Sequence, residues 1–155
     1  MEIISLNSSN FEYFVDRIQE FVKQVNNSEI EALFKNKNHS MQCLSAGIEQ
    51  SVLAVENNEI VGMLAAFSNV QHSIWSLAMI YVNEEKRLQS IGSTLMDEFE
   101  KHITDNEKRC KVTAQCKKND KNSNIFFLSK FFDFEGWCRA ADEKDDMYVW
   151  GKIYR

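Results

Sequence analysis

Hydrophobic side chains recur at helical spacing in four stretches of the chain. The clearest covers residues 10–25, where seven apolar residues fall mostly three or four positions apart and polar residues fill the remaining positions. A shorter stretch begins at residue 28, another covers residues 91–103, and a fourth covers residues 122–132. Because side chains three or four residues apart share one face of a helix, this spacing predicts four amphipathic helices packed on a core.

Short apolar runs lie between these stretches and predict strands. They cover residues 1–6, 52–55, 60–67, 74–82, 110–116, 137–140 and 147–153. Asn57 and Asn58 separate the second and third runs, and asparagine tolerates the positive φ of a hairpin turn. Residues 35–50 are polar and show no clear period. The predicted order is β-α-α-β-β-β-α-β-α-β-β, which indicates one α/β domain over residues 1–155, with a mixed central sheet flanked by helices.

The junction between the strand at 74–82 and the helix at 91–103 has the composition of an anion site. A short charged turn leads into Gln-Ser-Ile-Gly-Ser at residues 89–93. A strand, a tight turn and a helix start direct unpaired N–H groups and the positive end of a helix dipole to one point, which favours phosphate. Arg87 would add a positive charge at the mouth. The alternative is an ordinary capped surface helix with a solvated Arg87.

Composition narrows the classes of function. The net charge of −5 argues against a nucleic-acid binder. No apolar run reaches the ~20 residues that a membrane span needs, and the N-terminus lacks the basic flank of a signal peptide. The four cysteines and three histidines show no metal-ligand spacing. We therefore expect free thiols, no metal site, no membrane or nucleic-acid partner and a cytoplasmic protein.

Three motifs occur in a fixed order along the chain. The first is the hairpin of residues 52–63, with Glu-Ile-Val-Gly at 59–62. The second covers residues 81–92 and reads Tyr-Val-Asn-Glu-Glu-Lys-Arg-Leu-Gln-Ser-Ile-Gly. The third runs from Asn124 through a helix to Gly136 and Trp137. Together they resemble the GNAT superfamily of N-acetyltransferases, with motifs over residues 50–137 and element order alone over residues 1–49.

The resemblance implies acetyl-CoA as cosubstrate, with its diphosphate held by the turn after Arg87. The family signature has Arg or Gln, two residues, Gly, one residue, and Gly or Ala, and Arg87 and Gly92 match it. Ser90 stands where the first motif glycine belongs, and Leu88 replaces another glycine that is common there. If Ser90 adopts the positive φ that glycine permits, the strain would be on the order of 1 kcal/mol.

The same resemblance implies that main-chain groups of the preceding strand contact the pantetheine arm. Asn124 would contact the arm from the other side, unless it serves only as a helix cap. The implied coenzyme-binding residues are Ile80, Tyr81, Val82, Arg87, Leu88, Gln89, Ser90, Ile91, Gly92, Ser93, Asn124 and Phe132.

Acetyl transfer to an amine needs a neutral nucleophile, and a base or water chain helps, because an alkylammonium with a pKa near ~10 is only about one part in a thousand neutral at pH 7. Many family members place a glutamate on the strand before the cofactor loop, but residues 74–82 contain no carboxylate. Many also carry a tyrosine that protonates the thiolate, where this chain has Phe132, or Phe131 in a shifted register. The remaining candidate groups are His72, Tyr81 and Ser129. For each of them the alternative is a loop or structural side chain.

The resemblance implies direct transfer of an acetyl group to a primary amine of a small molecule or peptide, in a ternary complex. The acidic turn at residues 142–146 would attract a cationic amine, unless it is merely a solvated hairpin end. The alternative function is a CoA-binding module with little or no catalysis. A third interpretation is an interaction protein that forms a homodimer, with Trp150 and Tyr154 at the contact.

Overall fold

A seven-stranded sheet runs through the computed structural model, which describes residues 1–69, 71, 73–140 and 145–155. The strands are β1 (Glu2–Ser5), β2 (Glu49–Glu56), β3 (Glu59–Asn69), β4 (Ile74–Val82), β5 (Cys110–Lys117), β6 (Asp133–Cys138) and β7 (Met147–Tyr154). In space they follow the order β1-β2-β3-β4-β5-β7-β6. Only β4 and β5 pair in parallel, and every other neighbouring pair is antiparallel. The predicted mixed sheet is therefore confirmed.

Helices cover both faces of the sheet. They are α1 (Phe11–Lys23), α2 (Ser28–Lys35), α3 (Lys37–Ser45), α4 (Ile91–Asn106) and α5 (Lys121–Ser129). α4 and α5 enclose one buried cluster against the sheet, and α1, α2 and α3 enclose the other. Leu95, Phe99 and Ile103 are at most 1% exposed, so the apolar stripe predicted for α4 faces the core. Burial of these two clusters is the main source of stability.

The hairpin between β2 and β3 forms where the sequence predicts it. Asn57 has a φ of +51° and Asn58 a φ of +67°. Two consecutive residues with positive φ match the twist of the flanking strands, which explains why asparagine occupies both positions. The turn thus sets the register that places Leu53 opposite Met63 in the core.

One short helix lies in the stretch that the sequence left unassigned. α3 forms within residues 35–50 and is capped by the side chain of Asn36, which accepts a hydrogen bond from the N–H of His39 at 3.1 Å. Its inward side chains are mostly small or polar, including Ser40 and Cys43. Few apolar residues at helical spacing therefore mark it in the sequence. The rest of the predicted element order is confirmed.

The helix predicted over residues 122–132 ends earlier than expected, at Ser129. Phe131 adopts a φ of +63°, and the N–H of Phe132 donates to the carbonyl of Phe127 at 3.0 Å. This is a left-handed helix C-terminus of the kind that glycine usually forms. As a result β6 begins at Asp133, four residues before the predicted strand, and Gly136 lies inside β6 rather than at the helix end.

The two side chains proposed for a dimer contact near the end of β7 are both engaged within the chain. Trp150 is 7% exposed and donates from Nε1 to the side-chain oxygen of Asn124 at 3.1 Å. The hydroxyl of Tyr154 donates to the carboxylate of Glu100 on α4 at 2.7 Å. Both side chains therefore join the sheet to its own helices. Formation of a homodimer stays a prediction.

Two further observations concern membrane-spanning helices and the state of the cysteines. Among the described residues, no helix combines the length and apolarity required to cross a membrane. All four cysteines are free thiols; Cys43, Cys110 and Cys116 are buried and Cys138 is exposed. The prediction of free, mainly buried thiols is confirmed.

Candidate functional site

β4 and β5 separate soon after they meet. Their pairing comprises three residue pairs and ends with Ser76 opposite Thr113. β4 continues to Val82 along β3, so its other edge faces a space between the two strands, called here the β4–β5 gap. The register of β3 against β4 also shifts, which leaves Ala78 as an extra residue in β4. Main-chain groups on the free edge of β4 can therefore pair with an extended ligand.

The loop after β4 holds two residues in the left-handed region of the backbone map. A single 3₁₀ turn, Glu84–Lys86, precedes it. Leu88 has a φ of +62° and Ser90 a φ of +60°. These are the two positions where the family signature favours glycine, so the positive φ expected for Ser90 is found. Each residue carries strain of about 1 kcal/mol or more in this conformation.

The loop presents unpaired main-chain donors. α4 begins at Ile91, and the side chain of Ser90 makes no capping hydrogen bond. Among the described residues, none of the N–H groups at positions 88–93 donates a hydrogen bond. Unpaired N–H groups at a helix N-terminus suit an anion, because the positive end of the helix dipole lies there too. Gly92 lies within this group, and its position has room for a Cβ at 3.6 Å from Phe126.

Arg87 lies at the mouth of this donor group and is partly anchored there. Its Nε donates to the carbonyl of Val82 at 3.1 Å. Its guanidinium lies 3.8 Å from the carboxylate of Glu84 and 5.5 Å from the ring centroid of Tyr81. About half of the side chain is exposed, so the remaining N–H groups can reach a phosphate.

The comparison with protein families agrees with this geometry. The sequence profile of the Acetyltransferase (GNAT) family matches residues 12–134, most of the chain. The chain belongs to the GNAT family. By sequence, no curated protein matches it.

Several GNAT structures share the fold at low sequence identity. A GNAT acetyltransferase from Desulfovibrio desulfuricans has a TM-score of 0.81 at 13% identity, with 97% of this chain and 98% of that chain covered. PaiA N-acetyltransferase from Thermoplasma acidophilum, in complex with coenzyme A, has a TM-score of 0.68 at 18% identity, with 99% and 100% covered. An aminoglycoside 6'-N-acetyltransferase complexed with coenzyme A has a TM-score of 0.76 at 15% identity, with 99% and 97% covered. At these identities the likeness shows the fold alone.

The β4 residues of this GNAT domain alternate between the two faces of the sheet. Ile80 and Val82 pack toward α4 and α5. Tyr81 points to the opposite face, where its ring contacts Phe21 at a centroid distance of 5.8 Å. These three side chains are thus held by packing on either face of the sheet. Contact of residues 80–82 and 87–93 with a coenzyme stays a prediction.

Asn124 is engaged within the protein. Its side-chain oxygen accepts from Trp150 and from the thiol of Cys116 at 3.1 and 3.2 Å. Its amide nitrogen lies within hydrogen-bond distance of the carbonyls of Lys117, Lys118 and Asp120. The side chain therefore connects α5 to β5 and β7. Its predicted contact with a pantetheine arm would require it to exchange one of these bonds.

The other predicted site residues do not converge on one point. Phe132 is 2% exposed and packs on Phe127, so its ring serves the core, and its contact with a coenzyme stays a prediction. The hydroxyl of Ser129 donates to the carbonyl of Phe126 at 2.7 Å on the exposed side of α5. His72 and residues 141–144 of the acidic turn lie outside the described residues. The described candidates therefore supply no evident acid–base pair.

Sequence reasoning missed one unusual carboxyl group. Glu49 begins β2 and is 3% exposed. Its Oε1 accepts a hydrogen bond from the hydroxyl of Ser51 at 2.7 Å, while Oε2 has no donor among the described residues. Burial raises the pKa of Glu49 to about 7. In the sequence it is one more polar residue before an apolar run, and no local pattern marks it as buried.

Proposed function

We propose that this GNAT protein transfers an acetyl group from acetyl-CoA directly to a primary amine of a small molecule or peptide, in a ternary complex. The observation that carries the proposal is the group of unpaired N–H donors at residues 88–93, next to the free edge of β4. A diphosphate fits the donors, and an extended pantetheine arm fits the strand edge. Family membership and the CoA complexes of proteins with the same fold support this assignment.

Each part of the site has a defined task in this proposal. The N–H groups of residues 88–93 and Arg87 bind the diphosphate, and main-chain groups of residues 80–82 orient the pantetheine arm. Acetyl-CoA supplies the activated acetyl group. A main-chain N–H on the gap edge of β4 donates a hydrogen bond to the thioester carbonyl oxygen and stabilises the negative charge that develops there. Apart from the Arg87 side chain, the groups that bind the coenzyme in this proposal belong to the backbone. The replacement of glycine by Leu88 and Ser90 therefore leaves them in place.

A second candidate function is a CoA-binding module with little catalysis. It is favoured by the absence of a carboxylate on β4 and by Phe131 and Phe132 at the position of the expected tyrosine. A thiolate can leave with water as its proton donor, so the missing tyrosine slows transfer without preventing it. The two functions share the coenzyme site and differ only in turnover.

Coenzyme binding is tested by unfolding the protein with and without acetyl-CoA. At about 100-fold excess over Kd, binding should add ~2.7 kcal/mol to the free energy of unfolding. Arg87→Glu should abolish most of this shift and leave the fold intact. Arg109→Glu is the matched control, because Arg109 is an exposed arginine in a different loop. Absence of a shift in the wild-type protein, or an equal shift in Arg87→Glu, would refute the proposed coenzyme site.

Turnover is tested by release of free CoA thiol over a panel of benzylamine, tyramine, spermidine and a peptide with a free N-terminal alanine. Amine-dependent thiol release supports the transferase. A stabilising shift with acetyl-CoA but no release with any amine supports the binding module. We also propose a cytoplasmic location, since buried and exposed cysteines alike are free thiols, which suits a reducing compartment.

A further inference from the structure

We propose that Glu49 is the proton acceptor for the amine in this enzyme, in place of the carboxylate that β4 lacks. The inference rests on the proposed acetyl transfer. It assigns a role to a residue on β2, two strands away from the β4–β5 gap, and explains how ammonium substrates would be activated.

The register of the sheet places Glu49 in line with the start of the gap. Glu49 pairs with Phe67, Phe67 pairs with Ser76, and Ser76 pairs with Thr113. Directly paired residues point to the same face, so these four side chains form one row across the sheet, called here the gap row. Ser76 and Thr113 are the last pair before the strands separate. Two strand spacings, about 10 Å, separate the backbones of Glu49 and Ser76.

The surroundings of Glu49 leave one carboxylate oxygen available. The Ser51 hydroxyl holds Oε1, and the buried Oε2 has no protein donor among the described residues. From α3, the Cys43 thiol faces the carboxylate, and His39 contacts that thiol at 3.6 Å. None of the described ion pairs includes Glu49. A buried oxygen of this kind normally has a water or ligand partner. In the gap row Phe67 stands between Glu49 and the gap, so the proposed transfer requires waters beside its ring to carry the proton from an amine in the gap to Oε2.

The proton affinity of Glu49 suits the task. Burial raises its pKa to about 7, and the hydrogen bond from Ser51 opposes the increase. A base is most effective when its pKa lies near the working pH, because it is then both available and strong enough to take a proton. A normal glutamate is a weaker base by roughly 2.5 pKa units. Glu49 thus approaches the basicity that removal of a proton from an alkylammonium requires.

The proton balance of the reaction follows directly. The ammonium gives one proton through water to the Glu49 carboxylate, which leaves a neutral amine. The nitrogen then forms a bond to the acetyl carbon as the carbon–sulfur bond breaks. The second nitrogen proton goes to the departing thiolate, so the products are the amide, the free thiol and protonated Glu49. Glu49 returns its proton to solvent before the next turnover.

A second carboxylate lies near the far end of the gap row and is the main competitor. Glu135 is the extra residue of a bulge in β6, and its carboxylate lies over Gly151, the partner of Thr113. Lys111 binds it at 2.8 Å, and it is about one-third exposed. Because its charge is already paired and solvated, we assign it no proton transfer, and the experiment separates the two carboxylates.

The test is the pH dependence of kcat/KM for the panel amine with the fastest thiol release. If Glu49 takes the proton, wild-type kcat/KM rises with slope one up to about pH 7 and then stays level until the amine itself loses its proton. Glu49→Gln should lower the kcat/KM of the level, pH-independent region about 100-fold. Its kcat/KM should rise without a break to the pKa of the amine, since only free amine then reacts. Asp105→Asn, at an exposed site on α4, should match the wild type.

Ser51→Ala provides a second variant that retains the carboxylate. Loss of its hydrogen bond should move the break to higher pH while the level rate is kept, an outcome that a purely structural role does not produce. The inference is wrong if Glu49→Gln keeps the wild-type break, or if the break disappears in Glu135→Gln instead. Failure of every amine to release thiol from bound acetyl-CoA would refute the transferase itself, and the role of Glu49 with it.

Discussion

The burial of the Glu49 carboxyl group also leads to a prediction about stability, which does not depend on catalysis. In the folded protein burial raises its pKa from 4.5 to about 7. In the unfolded chain the same carboxyl group is solvated and ionises near its ordinary value. The folded state therefore binds one proton more than the unfolded state between these two pH values. Each pH unit across that interval removes folding free energy from the wild-type protein.

The magnitude follows from the size of the shift. A difference of about 2.5 units, at about 1.4 kcal/mol per unit, amounts to roughly 3 kcal/mol. This contribution is fully present below pH 4.5 and is lost as the pH rises through 7. Glu49→Gln has nearly the same shape as protonated Glu49 and carries no titrating group. We expect the variant to equal the wild type near pH 4.5 and to exceed it by up to about 3 kcal/mol at pH 8.

The measurement is urea unfolding of both proteins at several pH values from 4.5 to 8. Only the difference between them is interpreted, because all other groups titrate equally in both. Asp105→Asn, which removes an exposed carboxylate from α4, is the control and should show no such divergence. Two results would contradict the raised pKa of Glu49 and show that the folded protein stabilises its ionised form. One is a difference in unfolding free energy that stays constant with pH, and the other is a wild type that is more stable than Glu49→Gln at pH 8.

Two further predictions concern the backbone. Leu88→Gly should stabilise the protein by about 0.5–1 kcal/mol in urea unfolding, because Leu88 holds a positive φ with a fully exposed side chain. Leu88→Ala should give no gain, and an equal gain from alanine would mean that the side chain, not the backbone angle, is responsible. Gly151→Ala should cost about 1 kcal/mol or less, because its Cβ would overlap the Glu135 carboxyl group, the end of a flexible side chain that can move aside. Part of this cost should disappear in the Gly151→Ala/Glu135→Ala double variant, and strictly additive effects would contradict the overlap.

The sequence predicted the elements whose signals are local. The asparagine pair at 57–58 defined the hairpin, and the apolar stripe of α4 defined its buried face. α3 escaped because a short helix with polar inward residues has no apolar period. The end of α5 escaped because Phe131 occupies a left-handed position that glycine usually signals. Tertiary contacts determine the backbone conformation at such a position, and no local sequence pattern predicts it.

The residues of the candidate site also fall into two groups, those that the sequence predicted and those that it did not. Arg87 and the donor loop were predicted from the strand–turn–helix junction and again from the family motif, since both depend on chain order. The orientations of side chains were not predictable, because they depend on packing between distant elements. Asn124 connects α5 to β7 because Trp150 lies near it, a contact that spans 26 residues of sequence. Glu49 is buried although it stands at the polar start of β2.

The donor loop itself argues for a retained ligand. Two non-glycine residues hold positive φ in succession around Gln89, at a combined cost of roughly 2 kcal/mol. The side chain of Leu88 is fully exposed, and the Ser90 side chain caps no helix, so neither side chain offsets the cost through a contact of its own. At the start of α4 the loop leaves a set of N–H groups that have no acceptor among the described residues. In the proposed function a diphosphate would accept hydrogen bonds from those donors, and its binding would offset the strain of the loop.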